Sequence, residues 1–98
     1  MNVELPASVG EALGGLLSSL AIEGFSPIAL DYTPMAFGNF MVTLGNGKRT
    51  ITLVRDRSQF MVRGERAAHE PAGLWRAFDN IQELEPLLLA WIRSNNLD

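Results

Sequence analysis

The chain has 98 residues, 47 % hydrophobic and 19 % charged, with a net charge of −3 and no cysteine. That length predicts one domain with one core, and the composition excludes a disordered chain. Disulfides, thiolate metal sites and cysteine nucleophiles are excluded as well.

Charge is unevenly placed. Residues 1–47 carry four acids and no Lys or Arg, residues 48–66 six cations and two acids, and residues 67–98 two cations and five acids. A basic middle therefore lies between acidic flanks. The N-terminal "MNVELPASVGEALGGLLSSLAIEG" has an apolar middle, but no cation precedes it and Glu4 and Glu11 interrupt it, unlike a secretory signal. No stretch approaches the length of a membrane span, so a soluble cytoplasmic protein with no membrane partner is expected.

Val9, Leu13, Leu16, Leu17 and Leu20 share one helical face and predict a helix over residues 8–23. Ser8 with Glu11 forms a capping-box pattern, and Gly24 followed by Phe25 is a stop signal. Gly14 and Gly15 weaken this helix by about 1 kcal/mol each, and a tight helix–sheet contact is the expected reason. In "SPIALDYTP", Ile28, Leu30 and Tyr32 alternate with Ala29 and Asp31, a strand with one buried face that Pro27 and Pro34 keep short or at an edge. "MAFGN" reads as a loop.

"FMVTLGNGKRTITLV" holds Asn46-Gly47 between two alternating runs, which predicts a type I′ hairpin. That turn sets Leu44 opposite Arg49, Thr43 opposite Thr50, Val42 opposite Ile51, Met41 opposite Thr52 and Phe40 opposite Leu53. A second tight turn at Arg57-Ser58 sets Arg55 opposite Phe60, Val54 opposite Met61, Leu53 opposite Val62 and Thr52 opposite Arg63. The two hairpins agree on the buried face: Phe40, Val42, Ile51, Leu53 and Val62. "GERAAHEPAG" reads as a polar loop, and "LWRAF" as a short fifth strand or a helical turn. "FDNIQELEPLLLAWIRSNN" is a helix with Ile81, Leu84, Leu87, Leu88, Trp91 and Ile92 on one face. Asp79 with Gln82, or Asn80 with Glu83, would cap it. Pro86 lacks the N–H of an interior residue, so the helix begins just before it or bends there, and Asn95 and Asn96 suit its end.

The fold class is α+β. A four- or five-stranded antiparallel meander carries the N-terminal and C-terminal helices on one face. The other face holds Ala29, Asp31, Met41, Thr43, Thr50, Thr52, Val54, Met61 and Arg63.

Catalytic signals are sparse. His69 is the one histidine, beside Glu70, and reads as an exposed loop residue, so a two-histidine metal site is excluded. No nucleophile elbow appears, and "GNGK" lacks the spacing and helix of a phosphate loop. Asp79 and Glu83 read as a helix start set against the macrodipole. No catalytic residue, metal or cofactor is expected.

The arginine-rich "TITLVRDRSQFMVRG" has three readings. Lys48, Arg49, Arg57 and Arg63 could contact nucleic-acid phosphates, but the acidic chain and the lack of exposed stacking aromatics in the hairpin argue against that. They could solubilise a sheet edge. Or, with Met41, Thr43, Thr52, Val54 and Met61, Arg57 and Arg63 could frame a protein interface, since methionine and arginine are enriched in such surfaces. Arg55 points the other way and is expected to meet Asp79 or Glu83, as a charge at a core margin needs a partner.

"TITLVRDRSQFMV" followed by "FDNIQELEPLLLAWI" resembles small bacterial domains, some of them immunity-type proteins of toxin systems, over roughly residues 39–93. The shared pattern is a hairpin with a Val-Arg-Asp-Arg turn, an aromatic segment and a terminal helix. The resemblance implies a non-enzymatic protein that binds and blocks a toxin. Such proteins are often acidic because toxin nucleases are basic; here the flanks fit and the hairpin does not. The fold class is also similar to small acidic secretion chaperones, which dimerise. The expected partner is therefore a protein or a second copy. The alternative from a different class is a small-ligand binder or enzyme using Arg55, His69 and nearby acids.

Overall fold

The structure is a computed structural model that describes residues 3–33 and 39–94. In chain order it contains α1 (Ala7–Leu13), α2 (Gly15–Ile22), β1 (Ser26–Thr33), β2 (Asn39–Gly45), β3 (Thr50–Asp56), β4 (Gln59–Arg63), a one-turn α3 (Arg66–His69), a 3-10 turn (Glu70–Ala72) and α4 (Ile81–Ser94). The four strands form an antiparallel meander in the order β1-β2-β3-β4. Pro34, residues 35–38 of the expected 35–39 loop, and Asn95 and Asn96 lie outside the described residues, and Asn39, the last residue of that loop, begins β2.

The N-terminal helix expected to be continuous is two helices. Gly14 breaks it with φ 52° and ψ −133°, a conformation that only glycine adopts without strain. The apolar stripe survives the break, because Val9 and Leu13 on α1 and Leu16 and Leu20 on α2 are all fully buried. Gly14→Ala is expected to destabilise by about 1–3 kcal/mol, read as a lower thermal midpoint. An unchanged midpoint would mean that the break is not required. Ser8 does not cap. The helix starts one residue earlier, after Pro6, and the Ser8 hydroxyl lies 2.8 Å from the Tyr32 hydroxyl, tying α1 to β1. Gly24 and Phe25 end α2 as expected, with Phe25 N–H donating to the Leu20 carbonyl at 2.8 Å and its ring buried.

Leu30 and Tyr32 pack against the core from β1, but Ile28 is 40 % exposed. A register shift between Pro27 and Ala29 takes Ile28 out of the alternation. The β2–β3 pairing is displaced by two residues from the expected one: Leu44 pairs with Ile51, Thr43 with Thr52, Val42 with Leu53, Met41 with Val54 and Phe40 with Arg55. The cause is the Asn46 side chain. Its Oδ1 accepts from the N–H groups of Lys48 (2.9 Å) and Arg49 (2.7 Å), so Asn46 precedes the turn instead of occupying it. Gly47, at φ 90°, becomes the first central residue. A shift of two preserves the side-chain face, so the buried set holds.

The β3–β4 register is the expected one. Its turn puts Arg57 (φ 54°) and Ser58 (φ 66°) in left-handed backbone, which costs a non-glycine residue about 1–2 kcal/mol. Asn39 steadies it, accepting from Arg57 N–H at 3.1 Å and donating to Asp56 at 3.2 Å. Ser58→Gly should relieve part of that strain and, after the extra unfolded-state entropy of glycine, raise the thermal midpoint by about 4 °C. A lower midpoint would contradict the turn assignment.

Of the two readings of "LWRAF", a short fifth strand or a helical turn, the strand survives only as one bridge. Phe60 and Phe78 exchange both backbone hydrogen bonds at 2.8 Å, while residues 74–77 bend away from β4. The polar loop after β4 is not a loop throughout, since α3 and the 3-10 turn fold within it. Glu65-Arg66-Ala67-Ala68-His69 is a run of helix-tolerant residues, and Arg66 pairs with Glu70 four positions on at 2.9 Å. Asn80 caps α4 by accepting Glu83 N–H at 2.9 Å, the second of the two expected caps. The helix continues through Pro86, leaving the Gln82 carbonyl without its usual donor.

All the strand side chains in the main buried cluster (Phe40, Val42, Leu44, Ile51, Leu53, Phe60 and Val62) lie on the face that meets the helices. Leu84, Leu88 and Ile92 of α4 fill the cluster from the other side. Ser19 donates to Glu85 at 3.0 Å and Arg93 pairs with Glu23 at 3.1 Å, so the helix acids are partly met by neighbouring helices. Among the described residues no helix is long and apolar enough to cross a membrane.

Candidate functional site: the open sheet face and its groove

The open face is built by alternation. Met41, Val54 and Met61 stand in one cross-strand row, and Thr43, Thr52 and Arg63 in the next. All but Arg63 are half-buried, and Arg63 is exposed. The two threonine hydroxyls lie 3.2 Å apart, and Arg63 Nη1 donates to Met41 Sδ at 3.1 Å. The sequence-predicted residues Met41, Thr43, Thr52, Val54, Met61 and Arg63 thus form one surface. Arg57 is not part of it; it sits exposed in the turn at the sheet's end.

One wall of this surface was not visible in the sequence. Residues 74–77, after bending away from β4, fold beside Val54 and Met61 and enclose a groove of about 340 Å³ with Trp75, Arg76 and Ala77 on its far side. Trp75 is 45 % exposed, a large apolar ring left in solvent at the groove. The available signal was the pair Leu74 and Phe78. Both are buried, at a spacing of four, and this separates them from the exposed Arg76 between them.

The basic middle segment does not form a patch. Lys48 and Arg49 belong to the β2–β3 turn, whereas Arg55 and Arg57 lie at the opposite end of β3, about 20 Å away at strand rise. The Arg49 guanidinium lies 5.2 Å from the Trp91 ring centroid, and Arg66 is held by Glu70.

Arg55 does not meet Asp79 or Glu83. Its guanidinium lies 5.8 Å from the Phe60 ring centroid, and its buried Nε has no hydrogen-bond partner among the described residues. The Phe60–Phe78 bridge carries Asp79 to Gln59, which donates to it at 3.0 Å. His69 is not exposed: it is 4 % exposed. Its ring meets Trp91 edge-on at 5.0 Å between centroids, and Nδ1 is buried without a partner among the described residues. The backbone of Gly64 makes room for this ring. Arg55 and His69 stand beside β4 positions four residues apart, about 13 Å at strand rise, so they do not converge on one small ligand. Among the described residues no group of three or more His, Asp or Glu is placed to hold a metal.

No protein-family model, curated protein or solved structure matches the chain.

Proposed function

We propose that this protein acts without catalysis, binding another protein through the open face of its sheet in the manner of an immunity-type protein that blocks a toxin. The observation that carries this reading is the continuity of Met41, Val54 and Met61 with the groove beside Trp75. Methionine, tryptophan and arginine together are the composition of an interface core and its anchors. A ligand or catalytic site using Arg55 and His69 is disfavoured by their separation. A nucleic-acid surface is disfavoured by the division of the cations between two ends of the sheet.

The test is capture of a partner from the native host by the tagged protein, repeated with Met61→Asp/Arg63→Glu. Loss of the wild-type partner by a folded variant supports the reading. Equal capture by both removes it.

A further inference from the structure

The groove lies along the free edge of the sheet. Phe60 directs its N–H and C=O outward to Phe78. In an antiparallel ladder the outward groups recur every second residue, so Val62 directs its own pair the same way. Continuing the Phe60–Phe78 register would set Arg76 opposite Val62, but the chain has already left the ladder, and Val62 has no backbone partner on that edge among the described residues. An unpaired N–H and C=O therefore line an apolar groove, next to a bridge that already fixes strand direction.

The groove's charges are one-signed. Arg63 and Arg76 both line it, and neither has a carboxylate partner among the described residues. Arg76 stacks 3.9 Å from the Phe78 ring centroid and, among the described residues, its one hydrogen bond is to the Ala77 carbonyl, at 3.4 Å. Arg63, among the described residues, reaches only a thioether. Both guanidiniums are free to take a carboxylate, and Val54, Met61 and Trp75 supply an apolar seat between them.

From this geometry we infer that the groove takes an extended peptide segment of acidic, apolar character as an added strand on β4. The segment's backbone pairs with the free N–H and C=O of Val62. One apolar side chain enters between Met61 and Trp75, and flanking carboxylates pair with Arg63 and Arg76. This rests on the sheet-face reading above and names the chemistry of its partner.

The test is selection of short random peptides, displayed as a library, on the immobilised wild-type protein. The expected winners carry an aromatic or β-branched residue with Asp or Glu two positions to either side, since only residues two apart face the same groove. Arg63→Glu and Arg76→Glu, both exposed and therefore expected to fold, should each weaken the best peptide about tenfold. A peptide with Lys in place of the one acid that faces the reversed residue should recover affinity for that variant. N-methylating alternate peptide amides should abolish binding, because an added strand needs them. Winners without acidic bias, or binding indifferent to N-methylation, would overturn the inference. So would a wild-type dimer, seen by light scattering and dissolved by Trp75→Glu, since the groove would then belong to a second copy. If peptide selection fails while Met61→Asp/Arg63→Glu still loses the native partner, strand addition is wrong and the sheet-face reading stands.

Discussion

Met61→Asp/Arg63→Glu is expected to weaken partner association by more than about a hundredfold while leaving the fold in place. Met61 is half-buried in the row between Val54 and the groove, so a carboxylate there would be desolvated by any partner that covers the face. Truncation of a hot-spot residue costs about 2 kcal/mol or more, and an unpaired buried charge adds to it. Arg63 is exposed and pairs with no acid among the described residues, so reversing its sign changes the field at the groove without breaking an internal ion pair there. The cost to stability is confined to open-face packing and strand preference, about 1 kcal/mol, or a fall in thermal midpoint of about 4–8 °C. Lys48→Glu, at the far turn, serves as the control and should leave association unchanged. Titration calorimetry with the captured partner decides the matter, and equal affinity for wild type and double variant would contradict the site.

Gly64→Ala is expected to be the most damaging single-methyl change in the chain. A Cβ at this position would stand 2.2 Å from Cε1 of His69 and 2.9 Å from both ring nitrogens. The imidazole cannot swing freely to relieve this, because it is buried and packed edge-on against Trp91. Overpacking of this kind costs about 2–3 kcal/mol, or about 8–20 °C in thermal midpoint for a chain of this size. The identity of the clash can be checked by a double-mutant cycle. In a His69→Ala background the ring is gone, and Gly64→Ala should become nearly neutral, giving a coupling of at least about 1 kcal/mol. Additive costs would show that the ring is not what glycine accommodates. The cycle also bears on the groove, since Gly64 lines it and β4 ends just before this residue.

Two hairpins of similar sequence pattern were legible to different depths. At Arg57-Ser58 only one tight turn could join the alternating runs, and the register follows from counting. At Asn46-Gly47 the same counting lands two residues away, because the Asn46 side-chain Oδ1 takes two backbone N–H groups and moves the turn forward. A side chain bonding its own backbone is a local event, but whether it wins over the type I′ alternative depends on how the whole hairpin sits in the sheet. The inward and outward sets escaped the error, since an even displacement leaves every side chain on its side.

His69 and Arg55 show the opposite limit. Both are single polar residues whose surroundings come from distant parts of the chain: Gly64 and Trp91 for the histidine, and Phe60 for the arginine, with Asp79 taken by Gln59. No periodicity carries that information. The same is true of Trp75 and Arg76. Alternation suggested a strand there, but burial of Leu74 and Phe78 in the core bends the segment between them away from β4 and opens the groove.

The amino-acid order alone therefore determined the α+β architecture, the strand sequence and the face that each residue of β2, β3 and β4 occupies. These depend on repeating patterns of apolar side chains, which are local and add up over many positions. Only the tertiary structure decided where the helix breaks, which residues surround the histidine and the arginine, and that a groove flanks the open face. Those depend on single contacts between residues far apart in the chain, where one side chain or one bridge settles the outcome.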